Sequence, residues 1–363
     1  MRRSLILIAF FSLTVSSLTL AEVTKPVTGT LAVPATGRFA VENLAGRMTV
    51  VPGEGDAVVA VATVHAESEA LASAMRFEQV RDKDGLPALR LIYPLDKERR
   101  IRYPERADGG HEHHWWSGFG SSSSFEYDDR RVRVSGESGA LVYADVEVRV
   151  PKRAVEATFR NFVGALTAEG IEGRILLDTN RGPITARRLK GEIKADTGSS
   201  DVLAEAVSGS FDCDTGSGDC VVRGFEGNEL RCDTGSGDVR VADVKAERFR
   251  ADTGSGEVRA ERTDVEEFEG DTGSGGIRAE LLGTRLRRVK ADTGSGDVEL
   301  RLPADASFDA EADQGSGDLR CTFSDAKEVR NRHGHKVVGY RRGDERTRIS
   351  IDTGSGDASI RPL

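Results

Sequence analysis

The chain has 363 residues, a formal charge of −9 at pH 7 and 41 glycines, about 11% of the total against a usual figure of about 7%. The acidic balance repels phosphate backbones and argues against nucleic acid as a partner. No collagen period is present, so the excess glycine sits in turns, and aromatics at 6% suit a narrow aliphatic core.

Residues 1–21 read as a signal peptide: Arg2 and Arg3 supply the charged start, Leu5 to Val15 the apolar stretch, and Thr19-Leu20-Ala21 a small-residue cleavage site before Glu22. A membrane anchor needs about 20 apolar residues, and this run is diluted by Ser12, Thr14, Ser16, Ser17 and Thr19. Removing the segment takes away two arginines and no acid, which moves the formal charge from −9 to −11. The expectation is an exported protein, periplasmic or at the cell surface or extracellular, with no transmembrane segment after cleavage.

Residues 22–36 read as a tether. Residues 37–152 read as an irregular β-rich N-terminal part that begins the solenoid or caps its first rung, with strands in FAVENLAGRMTVV, AVVAVATV, ALRLIYP, RVRVSG and ADVEVRVP and one helical stretch near Ser68 to Val80. Within it, residues 104–125 are a low-complexity insertion expected to be a mobile surface loop. That loop holds His111, Glu112, His113 and His114, the candidate metal ligands, because imidazoles suit Zn, Cu or Ni. A weakly held divalent metal is the only cofactor it suggests. Trp115 and Trp116 come next, either as an exposed stacking surface or packed back on the body; both readings stand.

The strongest signal lies in the C-terminal half. DTGSSD starts at Asp196, and DTGSGD or a close variant recurs at Asp214, Asp233, Asp252, Asp271, Asp292, Asp313 and Asp352, with a looser DTNRGP at Asp178. Successive spacings are 18, 18, 19, 19, 19, 21, 21 and 39 residues. A near-constant period marks a solenoid whose units bury their apolar faces only by stacking. The predicted fold is all-β, a parallel β-solenoid of about nine rungs, 18–21 residues each, regular over 153–321.

Aligning the copies places four uncharged columns three and one residues before the first Asp, and six and eight after it. In the rung around Asp233 these are Leu230, Cys232, Val239 and Val241. The alternation predicts two strands per rung, one on each side of the turn. By the same alternation each Thr points inward. The eight first aspartates point outward as structural turn residues, expected to accept turn N–H groups, and the turn glycines supply positive φ. All four cysteines fall in inward columns; Cys213 and Cys232, in one column on adjacent rungs, are the candidate disulfide, with buried free thiols the alternative. Residues 322–348 read as a hairpin excursion, and 349–363 as the final rung that closes the array.

Candidate chemistry is sparse. The D-T-G-S string occurs in aspartic proteases, but those need two loops meeting as one carboxylate dyad, and here the copies stack side by side. Calcium-binding β-helices have a nine-residue period and a G-x-D step that this chain lacks. Arg342-Gly343-Asp344 spells a cell-attachment tripeptide. No catalytic residue is assigned.

VEVRVPKRA leading into the rungs, the T-G-S-G-D series and VGYRRGDERTRISIDTGSGD at the end together make the chain resemble the bacterial putative-adhesin family, a domain of unknown function with β-strand repeats, over residues 37–363. The resemblance implies a non-enzymatic cell-envelope or surface protein that binds an envelope or surface partner, protein or glycan, or acts as a scaffold. Two other classes stay open: a periplasmic metal-binding protein acting through the His-rich loop, and a carbohydrate-active β-helix enzyme.

Overall fold

A computed structural model describes residues 22–104, 122–283, 285–332, 336–344 and 346–363. The architecture is all-β with one short helix, Glu69–Ala74. Each rung folds at its T-G-S-G turn so that the strand before the turn and the strand after it join two separate parallel ladders. In the first ladder Glu172–Thr179, Lys190–Thr197 and Ser208–Thr215 stack in register, Asp178 on Asp196 on Asp214. In the second, Ile184–Arg187, Val202–Glu205 and the start of Cys220–Thr234 do the same. The register holds through Cys220–Thr234, Val239–Thr253 and Val258–Thr272. The protein is a parallel β-solenoid, as the period required.

The four uncharged columns are the core. Ile193, Phe211, Leu230, Phe249 and Phe268 lie in one, and Ile184, Val202, Cys220, Val239 and Val258 face them from the other ladder, all buried. Cys321 departs from the pattern, half-buried where its column leaves the stack.

The stacking order is not the chain order at either end. Arg38–Ala45 pairs parallel with Val155–Val163, and Met48–Pro52 with Leu166–Glu169, so residues 38–52 form a rung although more than a hundred residues separate them from their neighbour. The sequence pattern leaves open whether this irregular stretch begins the solenoid or caps its first rung; the structure makes 38–52 part of the array. Residues 22–36, expected as a tether, contain the strand Val23–Ala32, paired antiparallel along its whole length with Ala57–Ala66. Its Val23, Lys25, Val27 and Leu31 alternate with exposed residues, a period-2 signal that Lys25, Pro26 and Gly29 obscure. The helical stretch expected to Val80 ends at Ala74, with Ser68 as its N-cap, and Arg76–Arg81 continues as a strand against Pro87–Ile92.

At the other end, the last strands in the sequence do not close the stack. Thr347–Thr353 lies between Arg288–Thr293 and Phe308–Gln314, parallel to both, and Ala358–Pro362 lies between Val298–Leu302 and Leu319–Cys321. The outermost rung is therefore 308–321. Its free edge is covered by the antiparallel strand Val337–Arg342, which also pairs with Lys327–Arg330. Elsewhere the carbonyl of each turn Thr accepts the Gly N–H of the next rung, as in Gly216 to Thr197 at 3.2 Å. Gln314 has no next rung, and the Lys336 ammonium takes that place at 2.6 Å. This is how a solenoid end is blunted against edge pairing.

The turn glycines have a different cause from the one expected. In the T-G-S-G turns none adopts the positive φ that the motif suggests, although Gly182 of the looser DTNRGP copy does, at 153°. Instead the turns stack so closely that a Cβ on Gly237 would lie 2.0 Å from the Gly218 carbonyl oxygen, and one on Gly256 1.9 Å from that of Gly237. Left-handed backbone occurs at the opposite corner, at Arg188, Ala206, Gly224, Asp243 and Arg262, with φ between 47° and 70°.

Gly237→Ala should therefore destabilise the protein by at least about 2 kcal/mol, as overpacking against rigid backbone does, while Ser236→Ala in the same turn stays within about 0.5 kcal/mol. Denaturant unfolding of both variants tests this; equal stabilities would remove the close-approach explanation.

Candidate functional site

The turn edge of the solenoid is the surface that the repeat builds. Its inner side is a threonine column. Thr215, Thr234, Thr253 and Thr272 are buried, and each hydroxyl makes two bonds of fixed direction. Thr234 Oγ1 accepts the N–H of Gly237 in its own turn at 3.1 Å and donates to the Gly218 carbonyl of the preceding rung at 2.8 Å. The same pair recurs at Thr253 with Gly256 and Gly237, and at Thr272 with Gly275 and Gly256. The expectation of an inward hydroxyl bonded to the turn holds, and the bond to the neighbouring rung adds to it.

The column changes residue at its ends. Asn161 and Asn43 occupy the threonine position in the N-terminal rungs; Asn43 Nδ2 donates to Asn161 Oδ1 at 3.0 Å, and Asn161 Nδ2 to the Gly46 carbonyl at 2.7 Å. In the outermost C-terminal rung Gln314 stands opposite Thr353, and both its side-chain polar atoms are buried without a partner.

Outside the threonines run two rows of carboxylates with an exposed serine row between them, Ser217, Ser236, Ser255 and Ser274 among them. The first row contains Asp196, Asp214, Asp233, Asp252, Asp271, Asp292, Asp352 and Asp313 in spatial order. These point outward, and among the described residues none accepts a turn N–H, contrary to the capping role expected of them. They face cations on their own or adjacent rungs instead: Arg231 lies 3.0 Å from Asp233, and Lys194 3.6 Å from Asp196 and 3.8 Å from Asp214.

The capping carboxylate is the sixth residue of the motif. Asp201 Oδ1 accepts the Asp219 N–H at 2.9 Å, Asp219 that of Asp238 at 2.8 Å, and Asp238 that of Glu257 at 2.7 Å, each bond crossing to the next rung. The row is interrupted at Gly276, which carries no carboxylate, and resumes with Asp297, Asp357 and Asp318 at 2.9 Å per step. The sequence signal was present, since Asp recurs at both ends of the motif, but alternation alone does not say which Asp reaches across a rung.

Two carboxyls of the first row are shifted. Burial raises the Asp196 and Asp271 carboxyls above their ordinary value; Asp214 and Asp178 push Asp196 further up against Lys194, and Asp292 and Asp252 push Asp271 further up against Lys290. An acid whose folded pKa is raised contributes stability at low pH that is lost as pH rises through that pKa.

At the N-terminal end this row becomes an alternating ion-pair stack. Arg160 takes the position of Asp178, beside Glu42. Arg160 is buried; its Nε lies 2.8 Å from Asp178 and its Nη1 2.8 Å from Glu42, which also binds Arg90 at 2.6 Å. The turn motif does not point to it, although FRNFVGALTA aligns with LDTNRGPITA position for position.

His111, Glu112, His113 and His114, with Trp115 and Trp116, lie outside the described residues. Among the described residues no group of three or more His, Cys, Asp or Glu side chains is arranged to hold a metal ion, and no helix is long and apolar enough to cross a membrane. Arg342 of the Arg-Gly-Asp string is not presented: it packs 4.7 Å over the Phe323 ring, binds Asp325 at 2.6 Å and donates to the Ala306 carbonyl. Asp344 binds Ser307 and Arg346. Cys213 and Cys232 sit side by side in register as buried free thiols in this structure.

The pattern of the family described as Toastrack DUF4097 matches residues 111–361, well over half of the chain. The chain belongs to the Toastrack DUF4097 family. Solved structures similar to it include a putative adhesin from Parabacteroides distasonis ATCC 8503, 12% identical with a TM-score of 0.42, covering 93% of this chain and 97% of that one. A putative adhesin from Parabacteroides merdae ATCC 43184 is 11% identical with a TM-score of 0.41, covering 93% and 96%. A putative lipid binding protein from P. distasonis ATCC 8503 is 11% identical with a TM-score of 0.37, covering 93% and 96%. No curated protein matches the chain. The Toastrack match begins inside the insertion, whereas the stacking of 38–52 on 155–169 carries the solenoid further toward the N-terminus.

This geometry makes three measurements decisive. Thr234→Val should cost about 1–3 kcal/mol by leaving the Gly237 N–H and the Gly218 carbonyl unpaired, whereas Gln314→Thr should gain up to about 1 kcal/mol by supplying the missing hydroxyl; denaturant midpoints decide both, and a neutral Thr234→Val would remove the ladder's role. Asp238→Ala should cost about 1 kcal/mol and Asp233→Ala less than about 0.5 kcal/mol; the reverse order would restore the first Asp as the cap. Asp271→Asn should raise the melting temperature at pH 7, and the difference from the parent should shrink toward about pH 3, where the parent carboxyl is protonated; a gain that persists at that pH would show that charge is not its cause.

Proposed function

We propose that the protein is a non-enzymatic, exported envelope or surface protein that binds a partner, protein or glycan, along the flank of its solenoid. The observation that supports this is the equivalence of the flank positions. The turn edge displays the first Asp row in register from rung to rung, about 4.8 Å apart, with exposed serines beside it. General acid–base chemistry needs carboxylates made different by their surroundings. Repetition makes these alike and suits them to a ligand that also repeats.

Beside this edge the flank carries cross-rung charge pairs rather than an enclosed cleft. Arg278 binds Glu257 at 2.7 Å, and Arg301 binds Glu280 at 3.4 Å, each partner being one rung away. A surface so patterned binds by summing weak, similar contacts.

Single Asp→Ala substitutions along the first row, at Asp214, Asp233 and Asp252, should each weaken binding to isolated cell-envelope glycan or surface protein by less than about threefold, and the triple variant by the product of the three, as independent contacts add. Pull-down titrations on the full chain measure this. One substitution that abolishes binding while the other two leave it intact would replace the extended flank with a localised site.

A further inference from the structure

Three of the four cysteines meet in the core behind one turn. Cys213 immediately precedes a DTGSGD turn and Cys220 immediately succeeds it, while Cys232 is the counterpart of Cys213 on the next rung. All three side chains are fully buried. The columns that hold Cys213 and Cys220 point at each other across the core. Register carries Cys232 through Ala251 to Gly270, and Cys220 through Val239 and Val258 to Ile277. A Cβ placed on Gly270 would lie 3.4 Å from the Ile277 side chain, so the two columns touch just behind the turn. Cys213 and Cys232, by contrast, project in the same direction from neighbouring parallel strands, an orientation that strains a bridge.

We propose that Cys213 and Cys220 are a redox pair that closes as a disulfide across the Asp214–Asp219 turn, clasping that rung, with Cys232 left as a thiol. The step is a two-electron oxidation with a small-molecule disulfide such as oxidised glutathione as the acceptor. The thiolate of one cysteine attacks a glutathione sulfur and expels glutathione thiolate. The second cysteine then attacks the mixed disulfide and expels the other, so two thiols become one S–S bond and one glutathione disulfide becomes two glutathiones. Full burial places the reaction during assembly of the rung, before the next rung covers it, and afterwards shields the bond from reductant. Burial opposes ionisation of all three sulfurs in the reduced core and pushes Cys213 and Cys220 well above the ordinary thiol range; donation from those two thiols outweighs burial at Cys232 and lowers it.

The full chain, refolded in a glutathione redox buffer, alkylated in denaturant without reduction and digested with trypsin, distinguishes the pairings. No Lys or Arg lies between Lys194 and Arg223, so Cys213 and Cys220 share one peptide, whereas Cys232 begins a separate one after Arg231. The expected result is a 195–223 peptide two hydrogens lighter than its reduced form and unalkylated, with Cys232 and Cys321 alkylated. Cys232→Ser should keep the bridge, and Cys220→Ser should fold to the same circular dichroism spectrum with Cys213 alkylatable. Four alkylated cysteines in the refolded parent, or a crosslink joining the 195–223 peptide to the Cys232 peptide, in the parent or in Cys220→Ser, would overturn the proposal.

Discussion

The constraint on which this structure depends is the distance between successive turns. Stacked strands can tolerate a range of side chains, but stacked turns bring backbone against backbone, and here a methyl group on the second glycine would fall about 2 Å from the carbonyl oxygen below it. Glycine is required for want of a Cβ rather than for any unusual φ. Once the turns touch, the carbonyl beneath must be satisfied, and the threonine hydroxyl earlier in the same turn does this while accepting the N–H of its own glycine. T, G and the second G of the motif are thus three parts of one contact.

The outer residues of the motif obey the same stacking. The sixth-position Asp reaches one rung on and accepts an N–H that has no ladder partner. The first Asp makes no such bond, which frees its row to face solvent and cations. The two rows are chemically distinct although the sequence writes both as aspartate, and only the first is available to a partner without loss of a rung-to-rung bond.

Much of this was legible in the sequence. The period, the four uncharged columns and the inward threonine come from alternation and spacing, and buried Val239, Leu230 and Thr234 occupy the places that alternation assigns them. Two things were not legible. Contacts between rungs depend on how far apart rungs lie, which a one-dimensional pattern does not encode; hence the misassigned cause of the glycines and the misplaced capping Asp. Stacking order depends on which edges remain open when each segment folds. A rung entering between two others, as 347–362 does, reads in sequence like a rung added at the end. The Arg160 stack lay in between: its alignment with Asp178 was readable, but the motif around it carries no aspartate to draw the eye.

Hydroxyl-mediated contacts between turns hold the rungs at this distance, and amide hydrogen exchange reads them directly. The Gly218, Gly237, Gly256 and Gly275 amides, each bonded to a threonine hydroxyl, should exchange as slowly as the neighbouring ladder amides of Cys220, Val239 and Val258. Exchange of those glycine amides at the rate of an open turn, with the ladder amides still protected, would contradict this.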